Sequence, residues 1–220
     1  MAYTIVAYFT PNDIYDSHMK RLVKSLCDFN LPYFISPITD QGGWIRNVQY
    51  KPTFLKKMMN QIDTNLVYLD VDAMVCGYPF LFDTLDRDNT VNLAVHTLDH
   101  SEFKRTGRKP EMLSGTLFLR NNDEVRKLLD SWIAVCKNSP TIWDQKALEV
   151  AIKALNFQYS DLPPEYCTIF DYMNSVQKPV IKHYQASREV KANVNKERKV
   201  NKPKRKVFKN GTVRLSRKRR

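Results

Sequence analysis

The chain has 220 residues, 43% of them hydrophobic and 11% aromatic, which excludes wholesale disorder and leaves room for one well-packed domain rather than two. Formal net charge is +12, but residues 186–220 carry 15 Lys and Arg against 2 acids, while residues 1–185 carry 20 against 21. The reading is a near-neutral domain over residues 1–185 followed by a basic tail over 186–220, so a uniformly basic domain is excluded.

In chain order, Tyr3 to Phe9 is short, β-branched and aromatic, and Thr10-Pro11-Asn12-Asp13 closes it, which predicts a buried first strand. Ile14 to Phe29 carries Met19, Leu22, Val23 and Leu26 at helical spacing. A short strand over Tyr33 to Ile35 leads to a loop around Gln41-Gly42-Gly43-Trp44, and Pro52 begins an amphipathic helix over Lys51 to Ile62. Leu66 to Leu69 and Val91 to Val95 read as strands, Thr97 to Glu111 as a polar loop, and Leu113 to Leu119 as a strand interrupted by Gly115. Asp123 to Lys137 and Trp143 to Leu155 read as helices, Leu162-Pro163-Pro164 breaks the pattern, and a last apolar stretch holds Val180, Ile181 and His183. Strands alternating with helices predict an α/β fold whose mostly parallel, mixed sheet is covered by helices on both faces. From Ala186 onward the composition builds no core, and the expectation is a chain that stays disordered until bound.

Cys27, Cys76, Cys136 and Cys167 form neither a CxxC pair nor a metal-type spacing, so they read as ordinary thiols in a reducing compartment. No basic segment precedes the short apolar run of MAYTIVAYF, and no transmembrane segment is predicted. The expected location is cytoplasmic, the host cytoplasm for a virus-encoded chain.

The stretch NLVYLDVDAMV sets Asp70 and Asp72 at the mouth of the most apolar strand, where ligand sites of open α/β sheets form. From an extended backbone both carboxylates point the same way. Two like charges so close raise each other's pKa unless a cation neutralises them, and hard oxygen ligands suit Mg²⁺ or Mn²⁺. On its own a DxD is a weak signal, since one aspartate can cap a turn while the other is solvated.

The order YFT, a helix from Lys51, LVYLDVDAMV, SGTLFLRNN, WDQKAL, LPPEY and IKHY resembles the nucleotide-diphospho-sugar transferases, glycosyltransferases of GT-A fold, over residues 3–184. This resemblance implies a hexosyl- or pentosyltransferase using a nucleotide-sugar donor, a UDP-sugar for preference, with a divalent metal. It implies that Tyr8 and Thr10 meet the base and ribose of the nucleotide, and that Lys51 approaches the donor diphosphate. It makes Asp70 a ribose or metal contact, Asp72 and His183 metal ligands, and Asp144 and Gln145 the residues facing the transferred sugar. Gly115 then gives the sugar close access to the sheet.

Each assignment has a plainer reading beside it. His183 is alternatively a core or surface histidine, Lys51 a solvated helix start, Asp144 a helix cap, and Gly115 a simple bulge. His96 and His100 are left unassigned, and Glu165 is a candidate acceptor-side base. The resemblance places a mobile lid over the Thr97 to Glu111 segment, and Lys104, Arg105, Arg108 and Lys109 would make it basic, for a polyanionic acceptor or for the donor diphosphate.

KERKVNKPKRKVFKNGTVRLSRKRR suits nucleic acid, which it would grip with little sequence preference, ahead of the plainer readings of a solvated terminus, a nuclear-import-like signal or attachment to an anionic membrane surface. Combined with the transferase reading, the tail alone points to a hydroxylated base in DNA as acceptor, as in virus-encoded DNA-modifying enzymes, the alternative being a protein or small-glycan acceptor with the tail serving localisation. Two alternatives belong to other classes. A haloacid-dehalogenase-type phosphatase also places DxD after an apolar strand, but near its N-terminus and with a late acidic pair, and no DD dipeptide occurs here. The second is a non-catalytic nucleic-acid-binding protein on a transferase scaffold.

Overall fold

The computed structural model describes residues 3–103 and 107–190. Among these, a six-stranded sheet is formed by β1 (Tyr3–Phe9), β2 (Tyr33–Pro37), β3 (Asn65–Leu69), β5 (Leu93–Leu98), β6 (Glu111–Leu119) and β7 (Ser160–Asp161), in the order β2-β1-β3-β6-β5-β7. Pairings β1/β2, β1/β3 and β5/β7 are parallel, while β6 runs antiparallel to both β3 and β5. A smaller sheet, β4-β9-β8, joins β4 (Ala73–Val75), β9 (Ile181–His183) and β8 (Thr168–Ile169).

The helices are α1 (Asp13–Asp28), α2 (Trp44–Gln49), α3 (Lys51–Gln61), α4 (Phe80–Arg87), α5 (Asp123–Asn138) and α6 (Asp144–Leu155). Period-2 alternation along the strands splits the core in two. Val6, Tyr8, Leu66 and Tyr68 face one cluster with Phe54, Leu55, Trp132 and Leu148 from α3, α5 and α6. Ile5, Ala7, Val67 and Leu69 face the other, with Leu22 and Leu26 of α1, Phe82 of α4 and Ile181 of β9. The expected fold is therefore present, a mixed α/β sheet with helices on both faces.

Local differences from the sequence reading have physical causes. The predicted loop after Gln41 contains a helix, α2. Asp40 Oδ1 accepts the amides of Gly42 and Gly43 at 3.0 and 2.9 Å, and these glycines adopt φ of 99° and 109°, which seats Gly43 as N-cap. β5 begins at Leu93 and runs through Leu98, so Thr97 belongs to a strand, and Asp161 Oδ1 holds its amide at 2.7 Å. The rest of the predicted lid contains a 3₁₀ turn over His100–Phe103, and Lys104 and Arg105 lie outside the described residues.

The described part of the chain up to Ala186 is one compact unit. Ala186 itself is fully buried in it. The expectation of a disordered tail falls almost wholly on residues 191–220, outside the described residues. Among the described residues no helix is long and apolar enough to cross a membrane. All four cysteines are free thiols.

Candidate active site

β3 ends at Leu69 and β4 begins at Ala73, so Asp70-Val71-Asp72 is a tight turn, closed by the Ala73 amide on the Asp70 carbonyl at 2.9 Å. The two carboxylates thus converge through a turn and not along the extended backbone expected from the sequence. Antiparallel pairing of β4 with β9 sets Ala73 opposite His183, which explains how a histidine 111 residues later meets Asp72. One ligand atom from each of Asp70, Asp72 and His183 lies within 4.8 Å of the others.

The geometry of β6 completes the site. Val95 pairs with Leu117 and His96 with Leu113, so Ser114, Gly115 and Thr116 bulge out of the ladder to β5. The Gly115 carbonyl accepts the Asp70 amide at 2.8 Å. A Cβ on Gly115 would lie 3.1 Å from His183 Cε1, 3.3 Å from His183 Nδ1 and 3.2 Å from Asp70 Oδ2. Glycine keeps this space open, because a Cβ would press on two of the candidate ligands more tightly than ordinary van der Waals contact allows.

That space fits a divalent ion: two carboxylates and an imidazole are donors that Mn²⁺ accepts, and Mg²⁺ shares the preference for the carboxylates. Asp70 Oδ1 is taken by the Tyr68 hydroxyl at 2.8 Å and by Lys51 Nζ at 3.1 Å, leaving Oδ2 toward Gly115 and His183. Asp72 Oδ2 accepts the Ala186 amide at 2.8 Å, and its Oδ1 lies 3.4 Å from His183 Nδ1. Burial pushes the Asp72 carboxyl up, but the His183 bond and the Ala186 amide outweigh it and hold the group below its ordinary range. Burial opposes charge on the His183 ring; Cys167 and Asp72 beside it more than offset this and push its pKa up to about 10.

Lys51 is not the solvated helix start that was one of its two readings. Only 3% exposed, its ammonium lies 2.6 Å from Asp144 Oδ2 and 3.1 Å from Asp70 Oδ1, and it donates to the Ser114 carbonyl and hydroxyl, both at 3.1 Å. Burial works against this charge, and the Asp144 and Asp70 carboxylates outweigh it, raising the lysine pKa. Asp144 does not cap its helix: Trp143 is the N-cap and makes no side-chain cap bond. The Asp144 side chain turns inward, where the Ser114 hydroxyl donates to Oδ2 at 2.9 Å, and the Trp132 indole holds its backbone carbonyl at 2.8 Å. Gln145 spends both ends of its amide on β6, accepting from the Ser114 amide at 3.4 Å and donating to Glu111 at 2.6 Å.

Other expected residues stand further from this constellation. Tyr8 is 8% exposed, with its hydroxyl on the Asn47 and Val48 carbonyls of α2 at 2.9 and 3.3 Å. Thr10 is half-buried at the end of β1. His96 is buried with Nδ1 2.7 Å from the Leu162 carbonyl, and His100 sits between the Tyr172 hydroxyl and Glu111 at 2.7 and 3.2 Å. Glu165 lines an open cavity of about 460 Å³ with Glu102, Phe103 and Lys178.

Ser114, Thr116 and Tyr15 were not singled out from sequence. Ser114 and Thr116 had a signal, as two hydroxyls flanking a glycine in an otherwise apolar strand, and they are 3% and 0% exposed. Tyr15, in the first turn of α1, lies close enough to the aspartates that burial, then Asp72 and Asp70, push its pKa up to about 12.

The model of one family, described as nucleotide-diphospho-sugar transferase, matches residues 41–206, well over half of the chain. The chain belongs to the nucleotide-diphospho-sugar transferase family. This membership removes the phosphatase alternative. No curated protein matches the transferase in a search of such sequences. Among solved structures, a glycosyltransferase involved in the glycosylation of the major capsid of PBCV-1 is similar at 14% identity and TM-score 0.68, covering 90% of this chain and 100% of its own. Glycosyltransferase GlyE of Streptococcus pneumoniae TIGR4 is similar at 18% identity and TM-score 0.56, with 84% of this transferase covering 54% of that chain. Mouse xyloside xylosyltransferase 1 follows the same fold at 10% identity and TM-score 0.55, with 84% and 98% covered. These likenesses establish the GT-A fold of the transferase.

Proposed function

We propose that the chain is a metal-dependent glycosyltransferase that moves a hexosyl or pentosyl group from a nucleotide-diphospho-sugar, a UDP-sugar for preference, to a hydroxyl on a nucleic acid. The observation that carries the enzymatic reading is the convergence of Asp70, Asp72 and His183 on the space that Gly115 leaves open. Asp70, Asp72 and His183 would hold manganese or magnesium, which would supply positive charge to offset the negative charge of a leaving diphosphate.

The chain's own groups do the rest. Lys51 ties Asp70 to Asp144 and so fixes the distance between the metal-binding turn and the start of α6. Against Asp70, Asp72 and Asp144 stand the Lys51 ammonium and the His183 ring, and once His183 gives up its proton to serve as a ligand the corner carries two net negative charges, apt for a divalent cation. Asp144 Oδ2 is engaged by Lys51 and Ser114, while Oδ1 has no hydrogen-bond partner among the described residues. That oxygen is the one available to receive a sugar hydroxyl or to face positive character at the anomeric carbon. Gln145 acts by position, because both ends of its amide already brace α6 against β6. Tyr8 and Thr10, at the end of β1, form the floor toward the nucleotide.

The 15 basic residues of 186–220 support nucleic acid as the acceptor, with a hydroxylated base in DNA flipped out of its stack to reach the site. The free thiols suit action in a reducing cytoplasm.

The test is a panel of UDP-, GDP- and TDP-sugars titrated into the full chain with and without Mn²⁺, followed by assays for hydrolysis or transfer. One donor is expected to bind and turn over only with metal, and Asp72→Ala to lose both. Equal binding with and without Mn²⁺ for every donor would sink the reading and leave the non-catalytic scaffold in its place.

A further inference from the structure

Each candidate ligand turns one polar atom toward the common space and has the other held by the protein. For Asp70 the outer atom is held by Tyr68 and Lys51, and for Asp72 by the Ala186 amide. For His183 it is Nε2, which lies 2.8 Å from the Thr116 hydroxyl.

We propose that Thr116 is the positioning residue of the metal centre: its hydroxyl oxygen accepts the Nε2–H of His183 and thereby selects Nδ1 as the nitrogen offered to the ion. The inference rests on the metal-dependent reading above and goes on to name the donor atom and the group that chooses it.

Several observations converge on this role. An imidazole can give a metal only the nitrogen that carries no proton, so a partner that holds one N–H decides which nitrogen remains. Gly115 locates one edge of the ring, because a Cβ there would lie 3.1 Å from Cε1 and 3.3 Å from Nδ1. The Nδ1 edge therefore borders the open space, and Nδ1 also lies 3.4 Å from Asp72 Oδ1. Turning the ring by half a revolution about χ2 would carry Nε2 away from Thr116 and abandon that bond.

Thr116 is itself completely buried, and it sits in the β6 bulge opposite Leu69, one residue before Asp70. The same bulge thus supplies the space, through Gly115, and the orienting hydroxyl, through its neighbour. A buried hydroxyl in an apolar strand is costly unless bonded, and among the described residues His183 is the partner it has. Outer partners of ligating histidines typically change metal affinity by about 10–100-fold.

The experiment titrates the full-length protein with Mn²⁺ by calorimetry and reads ¹⁴N coupling to the bound ion by pulsed EPR. Thr116→Val keeps the shape and removes the acceptor; it is expected to weaken Mn²⁺ binding by about 10–100-fold and to diminish the nitrogen coupling. Thr116→Ser keeps the acceptor and is expected to restore most of both. If the Val variant binds Mn²⁺ like wild type while Asp72→Ala does not bind, Thr116 has no such role and the metal site stands. If the Ser variant is as impaired as Val, the residue acts through packing and the proposal is overturned. If wild type itself binds no Mn²⁺, the site reading and this inference fall together.

Discussion

A lysine in the first turn of a helix opposes the helix dipole, and Lys51 stands there on α3 with no acidic residue in that turn to compensate. What compensates is tertiary, the pair of carboxylates from Asp70 and Asp144. Lys51→Met leaves Asp144 buried without a counter-charge; the expected loss is about 3 kcal/mol, the low end for a broken buried pair because Asp70 keeps 40% of its side chain exposed. Urea unfolding measures it, and adding Asp144→Asn to that variant is expected to return part of the loss. Gly115→Ala tests the neighbouring position differently. Its methyl lands 3.1–3.3 Å from the His183 ring and Asp70 Oδ2, so the chain is expected to fold yet bind Mn²⁺ at least about tenfold more weakly by calorimetry. That Asp70, Asp72, Gly115 and His183 belong to one candidate site was legible because the residue types themselves limit the chemistry. The inward turn of Asp144 was not, since a carboxylate at a helix start is equally suited to the dipole, and only Lys51 and Ser114 decide its direction.

At the scale of elements, long amphipathic helices and buried strands were legible and short pieces were not. α1, α3, α5 and α6 and strands β1, β3 and β6 lie within a few residues of where periodicity puts them, since burial of one face fixes them. α2 has six residues and no side-chain cap bond; it is held by Gln49, whose amide donates to the Ser139 and Ile142 carbonyls at 3.0 and 2.7 Å. β4 has three residues, too few to show alternation, and exists because β9 pairs with it. α4 was missed although its eight residues carry Phe82 and Leu85 inward, because Phe80 and Leu81 blur the stripe. These short elements carry the site, since β4 and β9 bring His183 to Asp72. The start of α6 depends likewise on a contact from α5, the Trp132 indole on the Asp144 carbonyl. Trp132→Phe removes that donor inside a packed core, and the expected cost is about 1–3 kcal/mol in urea unfolding. Because the loosened atom belongs to Asp144, turnover in the same variant is expected to fall while Mn²⁺ affinity stays near wild type.

Over the whole molecule, charge and chemistry are divided between two stretches of sequence. Residues 1–185 are nearly neutral and carry the candidate site, whereas the excess of 13 positive charges lies beyond them. The division has a chemical boundary as well, for Ala186 gives its amide to Asp72 and is fully buried. A deletion that begins at residue 186 would strip a bond from a candidate metal ligand, so an informative truncation must keep residues through Val190. Removing residues 191–220 takes away 14 Lys and Arg with 1 acid, a change of −13. That variant is expected to bind a sugar nucleotide with Mn²⁺ as the full chain does, because no candidate ligand lies beyond His183. Binding to DNA should behave oppositely. A tail that makes about six phosphate contacts loses on the order of a thousandfold in affinity between about 50 and 200 mM salt, through release of counterions. Fluorescence anisotropy on duplex and single-stranded DNA across that range is expected to show this steep slope for the full chain and a shallow one for the truncation. Equal affinities and slopes for the two would remove nucleic acid from the acceptor proposal while leaving the sugar chemistry intact, because the two properties depend on different residues.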